Sequence, residues 1–205
     1  METTQPEAQS ETQFQPEPAV EQPANWKRFV LDILETLILA VVLYFGINAV
    51  SARVRVDGFS MRPTLQDGEY ILVNKMAYKT GKPQRGDIVV FMFPMNLEED
   101  LIKRVIGLPG ESVSVQDGVV SINGIPINEP YINAAPFYNG EWQVPEGQLF
   151  VLGDNRNDSR DSNQWGLLPI ENVIGKAVLI YWPPEVWQVI NHAKLSSTTL
   201  VSWSP

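Results

Sequence analysis

At 205 residues the chain is long enough for one well-buried domain and too short for two large ones. A net charge of -9 argues against a phosphate-binding surface, so no nucleic-acid partner is expected. Cysteine is absent and His192 is the one histidine, which excludes thiol nucleophiles, disulfides and Cys/His zinc sites and leaves no metal or cofactor to expect.

Residues 1–25 carry Glu2, Glu7, Glu11, Glu17 and Glu21 with no Lys or Arg, so the rest of the chain is only mildly acidic. Rich also in Gln, Thr and Pro, this stretch cannot bury enough apolar surface to offset chain entropy, and it reads as a disordered acidic tail. Phe29–Val50 follows as FVLDILETLILAVVLYFGINAV. These positions span roughly 33 Å as a helix, which matches the hydrocarbon core of a bilayer. Asp32 and Glu35 share a face near its start, and Thr36–Ile47 is free of charge. A buried core helix and a cleavable secretory signal pass the same test, but a long tail before Lys27 and Arg28 favours a retained anchor. Lys27 and Arg28 before the span balance Arg53 and Arg55 after it, so charge alone leaves the orientation open.

Past the span the apolar period changes from helical to two. Arg53–Val56 alternates, Tyr70–Asn74 and Asp87–Phe93 are compact strand-like runs, and Gln148–Leu152 and Val173–Trp182 add two more. Turn signals at Asp117-Gly118 and Asn123-Gly124 predict successive hairpins. No long capped helix follows residue 52, so the expected fold is mostly β and antiparallel. The expected organisation is a tail over 1–25, a transmembrane helix over 29–50, a β-rich domain over 52–183 with a hairpin-rich insertion at about 113–147, and a C-terminal tail over 184–205.

Three segments carry candidate chemistry. Ser60 stands in GFSMRPTL, just after a strand, where Gly58 and Pro63 shape a turn able to expose its hydroxyl. By itself a turn serine is far more often structural. Lys103 lies inside the apolar run DLIKRVIGLPG, a costly position unless the amine is neutral or paired; a neutral amine can take a proton from a serine. The bland alternative is an edge-strand lysine reaching water. The third segment, GDNRNDSRDS from Gly153 to Ser162, leaves a hydrophobic strand as either an exposed loop or a hydrogen-bond scaffold.

S-M-x-P-T-L, then R-G-D-I-V-V-F at Arg85–Phe91, K-R-V-I-G-L-P-G and G-D-N-R-x-x-S-x-D-S, in this order behind an apolar span, resemble the sequence boxes of the bacterial type I signal peptidases in their single-span form. The resemblance covers roughly residues 27–182. It implies a membrane-bound serine endopeptidase that removes signal peptides from exported preproteins after Ala-x-Ala, working as a monomer. It also implies a cytoplasmic N-terminus and a β domain on the extracytoplasmic side of a plasma or thylakoid membrane. Ser60 would be the nucleophile, Lys103 the general base, Ser159 the residue orienting the amine and Asp161 its support, with Arg104 and Asp154 paired. Val54, Val56, Met61, Leu65, Ile71, Val90, Leu101 and Ile102 would line substrate pockets, core packing being their alternative reading.

Two positions depart from a familiar form of that family. Gly58 stands where some members carry a hydroxyl that completes the oxyanion hole, and a backbone amide near it, or a water, is expected to donate instead. Asn163 replaces an arginine, with Arg160 a possible substitute partner for Asp161. LexA-like self-cleaving regulators share Ser-Lys chemistry but carry a DNA-binding module where this chain has an apolar span. A membrane-tethered β protein without activity has no need of a buried lysine.

Overall fold

The structure is a computed structural model that describes residues 26–193. The acidic tail over 1–25 and the end of the C-terminal tail over 194–205 lie outside the described residues. Helix α1 (Trp26–Val50) is long and apolar enough to cross a membrane, and none of its side chains is buried. It begins three residues before the predicted span, at Trp26, Lys27 and Arg28.

The rest is mostly antiparallel β, as the change of period predicts. One sheet runs in the order β1 (Ser51–Arg55), β2 (Tyr70–Asn74), β11 (Val173–Trp182), β3 (Ile88–Phe93), β4 (Asn96–Gly107), β9 (Gln148–Leu152) and β10 (Leu168–Pro169), with β12 (Gln188–Val189) beside β11. A second sheet holds β7 (Ile125–Pro126), β6 (Val119–Ile122), β5 (Ser112–Gln116) and β8 (Gly140–Gln143). Both predicted hairpin turns form. Asp117 and Gly118 have φ of 50° and 81°, and Asn123 and Gly124 have 51° and 79°, the paired left-handed residues that such turns require. Among the described residues of this part the strands are interrupted by two short α-helices, α2 (Ala77–Thr80) and α3 (Ser162–Trp165), and by two single 3-10 turns at Ile170–Asn172 and Pro184–Val186.

Alternation builds three apolar clusters. Ile71 and Val73 of β2 meet Ile88 and Val90 of β3 in one, with Met61 and Leu65 from the β1–β2 connection. Val89 and Phe91, on the other face of β3, pack with Val105, Leu149 and Val151. The second sheet closes over Ile106 and Phe150. The β1–β2 connection therefore rests on a filled core. It is closed at its base by hydrogen bonds from Val56 N–H to Glu69 O at 2.7 Å and from Gly68 N–H to Val56 O at 2.8 Å.

Candidate active site

Lys103 lies on β4, which is hydrogen-bonded to β3 on one side and β9 on the other, so it is not an edge-strand lysine. Its side chain is only 3% exposed. Nζ donates to Ser60 Oγ at 2.8 Å and to the carbonyl of Ile102 at 3.0 Å. Burial pulls the amine down to about 8; the carboxylates of Asp161, Asp154 and Glu99 oppose the shift, and Arg160 adds to it. A serine hydroxyl facing such an amine is the arrangement from which a lysine can accept a proton.

The adjacent residue does different work, because successive strand side chains point to opposite faces. The guanidinium of Arg104 binds both oxygens of Asp154, at 2.8 Å and 2.7 Å, with both side chains buried. It also donates to Gly86 O at 2.9 Å and lies 4.0 Å over the Tyr131 ring. Thr64, four residues past the candidate nucleophile, donates its hydroxyl to Asp154. The ion pair thus ties the serine turn to the end of β9.

A cavity of about 80 Å³ opens at Ser60 and Lys103, walled by Val54, Val56, Met61, Leu101 and Ile102 and edged by Arg55, Asp57 and Asp100. Three residues expected in the pockets are absent from it. Leu65, Ile71 and Val90 are fully buried in the core cluster beneath, where their strand phase and the inward turn at Leu65 place them.

Comparison with known proteins settles the family. A match to the family described as signal peptidase, peptidase S26, runs over residues 27–182. The chain belongs to the signal peptidase family. It is 43% identical over 176 residues to signal peptidase I of Leptolyngbya laminosa, covering 82% of this chain and 86% of that one. It is 42% identical over 172 residues to probable signal peptidase I-2 of Synechocystis, covering 80% and 79%. A probable thylakoidal processing peptidase 2 of Arabidopsis thaliana is 41% identical over 154 residues, which cover 71% of this chain and 42% of that relative.

In this member of the family the remaining expected residues are distributed unevenly around the pair. Asp161 is fully buried; it accepts from Gly153 N–H at 3.1 Å and caps α3 through Asn163 N–H at 3.3 Å. Burial raises its carboxyl above the usual range, against the lowering effect of those N–H groups and of Lys103. Ser159 does not hydrogen-bond the lysine. Its hydroxyl is buried near enough to Asp161 to favour the carboxylate, yet outside hydrogen-bond geometry to any partner. Arg160 does not substitute for an arginine at Asn163, because it pairs with Glu99 and lies 4.6 Å over Phe93. Gly58 has φ of 93°, and its own N–H is taken by Asp67 Oδ1 at 2.8 Å. His192 sits away from the pair, its Nδ1 accepting from Ile88 N–H at 3.2 Å.

Sequence reading missed four contributors. Gly153 is one: a Cβ there would collide with Ser159 Oγ and stand 2.5 Å from Ser60 O. Asn155 holds the carbonyls of Phe59 and Ser60. Glu129 and Tyr131 clamp Arg156, whose guanidinium is buried against both Glu129 oxygens and whose Nε donates to Gly153 O at 3.2 Å. The polar segment Gly153–Ser162, which holds Gly153 and Asn155, was a signal for the first two, and Arg156 was one for the others, since a buried arginine requires a carboxylate from elsewhere in the chain.

Proposed function

We propose that this peptidase is a membrane-anchored serine endopeptidase that removes N-terminal signal peptides from exported preproteins after Ala-x-Ala, with Ser60 as nucleophile and Lys103 as general base. The observation that carries the reading is the 2.8 Å contact between Ser60 Oγ and a buried lysine amine lowered to about 8. At pH 7 about a tenth of such an amine is neutral, against well under a thousandth for an ordinary lysine. Neutral Lys103 takes the Ser60 proton as Oγ bonds to the scissile carbonyl carbon. The resulting ammonium returns that proton to the departing amine, leaving an ester on Ser60. Water deprotonated by Lys103 then hydrolyses the ester and regenerates the serine. Ser60 N–H donates to the oxyanion.

The small cavity beside Ser60 supports a preference for small side chains, because its apolar walls leave little room for a branched or aromatic group. Asp161 holds the loop after β9 and supplies a negative charge near the amine, and the Arg104–Asp154 pair anchors the turn. Helix α1 crosses the membrane once, with the N-terminal tail in the cytoplasm and the β domain on the side where signal peptides emerge, at the plasma membrane or an internal one. The peptidase acts as a monomer on the preprotein, with the bilayer as its other partner. The test is cleavage of a preprotein by the purified full chain, with the cut mapped by mass. A cut after Ala-x-Ala that vanishes in both Ser60→Ala and Lys103→Ala is expected; cleavage surviving either substitution would overturn the dyad.

A further inference from the structure

Two hydrogen bonds run from Asn155 into the nucleophile turn. Its backbone N–H donates to Ser60 O at 3.0 Å, and its side-chain Nδ2 donates to Phe59 O at 3.2 Å. Phe59 O belongs to the peptide group whose other end is Ser60 N–H, and that peptide is trans. A trans peptide is planar, with its C=O and N–H directed oppositely. A donor that fixes the Phe59 oxygen therefore fixes the direction of the Ser60 N–H, which points away from Asn155. Among the described residues, Ser60 N–H has no acceptor of its own. The neighbouring Gly58 N–H is already taken by Asp67, and no hydroxyl stands at position 58 to assist.

We infer that Asn155 is the positioning residue of the oxyanion site: its side-chain amide holds the Phe59–Ser60 peptide so that Ser60 N–H stays aimed at the developing oxyanion. The inference rests on Ser60 being the nucleophile. Asn155 touches neither the scissile bond nor Lys103; it acts through one peptide plane. The expected effect is bounded by a second donor, since Arg62 N–H also reaches Phe59 O, at 3.1 Å. Removing the amide of Asn155 loosens the plane rather than freeing it, so the loss stays below the hundredfold or more that follows deletion of an oxyanion donor.

The experiment uses the full chain in detergent with an Ala-x-Ala peptide and the matching peptide aldehyde, whose carbonyl adds the Ser60 oxygen to give a hemiacetal with its own oxygen in the oxyanion site. Asn155→Ala should lower kcat about tenfold with KM changed by less than about twofold. Asn155→Asp, which turns an oxygen toward Phe59 O, should lower it further. In both, the aldehyde inhibition constant should rise in parallel with the kcat loss, and the apparent pKa of activity should not move in Asn155→Ala. Full kcat in either folded variant would overturn the inference, as would loss of kcat with an unchanged aldehyde constant, the mark of a merely structural role. Should Asn155→Asp fail to fold, the Ala variant decides alone. Undiminished cleavage by Ser60→Ala, run alongside, would instead overturn the nucleophile assignment.

Discussion

Gly153 supports the backbone of Ser60: a methyl group on its α-carbon would stand 2.5 Å from the Ser60 carbonyl oxygen and closer still to Ser159 Oγ. The glycine is needed for close approach, since the same carbonyl must also reach Asn155 N–H at 3.0 Å. Gly153→Ala should therefore displace the serine turn and reduce kcat by about a hundredfold, because a shift of about 1 Å at a reacting group has that consequence. Overpacking costs about 1–3 kcal/mol, so a thermal melt should still show a cooperative transition. Wild-type kcat in Gly153→Ala would contradict the packing.

Lys103→Met should abolish cleavage and raise stability at pH 7, because it replaces a buried charge by an apolar chain of similar length. The sign follows from the lowered pKa. Folded Lys103 gives up its proton near 8 and the unfolded residue near 10.5, so wild type gains stability as pH rises through that window. At and below pH 7 both states are mostly protonated and nearly the full penalty, about 3 kcal/mol, is present. Paired denaturant melts at pH 7 and pH 10 should show the advantage of Lys103→Met shrinking at the higher pH. Lys103→Arg should be inactive, since guanidinium keeps its charge.

Cleavage should rise with pH and level off above about 8, where Lys103 becomes neutral. Two substitutions should move that limb in opposite directions. Asp161→Asn removes a carboxylate that raises the lysine pKa and should shift the limb to lower pH; Arg160→Gln removes a cation that lowers it and should shift the limb to higher pH. The Arg160 shift should be the smaller and should fade in salt, because that side chain is half exposed. Rate profiles at two ionic strengths check both signs.

Gly58→Ser should cost about 1–2 kcal/mol of stability through its left-handed φ of 93° while leaving kcat within about tenfold. Nothing lies within 4 Å of a Cβ at this position, so bulk alone does not block the site. Gly58→Val should be less stable than Gly58→Ser because a β-branched residue tolerates positive φ poorly, which is a conformational penalty and not an obstruction. Melting temperatures beside kinetics separate the two causes.

Asp154→Asn should be the most destabilising of these changes, by about 3–5 kcal/mol, since it leaves the buried Arg104 guanidinium without its carboxylate. Arg104→Lys, with Asp154 intact, should also destabilise. An ammonium can neither bind both oxygens in one plane nor stack on the Tyr131 ring, which Arg104 does at 4.0 Å. Urea unfolding at pH 7 provides the measurement.

Local patterns made much of this legible. Gln148–Leu152 and Val173–Trp182 form strands over the residues that their apolar runs delimit, and Asp117-Gly118 and Asn123-Gly124 turn as such pairs do, because strand period and left-handed turn residues are short-range effects. The short strands β8, β10 and β12 and the helices α2 and α3 left no comparable trace, since segments of two to four residues owe their form to what they pack against. Pocket and core residues were indistinguishable for the same reason. Val54 and Ile71 alternate alike along their strands, yet one lines the cavity and the other lies under it.

By itself the sequence determined the apolar span, the antiparallel β character and the identity of the motifs, all of which depend on residues close together in the chain. Only the tertiary structure decided which groups meet across long separations. It brings Lys103 to Ser60 over 43 residues, Asp154 to Arg104 over 50 and Asn155 to Phe59 over 96. It also decided that the Ser159 hydroxyl stands without a hydrogen bond, that Arg160 turns to Glu99, and that Gly153 must lack a side chain. The physical reason is common to all of them: a pKa, an ion pair or a close approach depends on burial and on distances of a few ångströms, and neither quantity exists until the strands are paired and the core is filled.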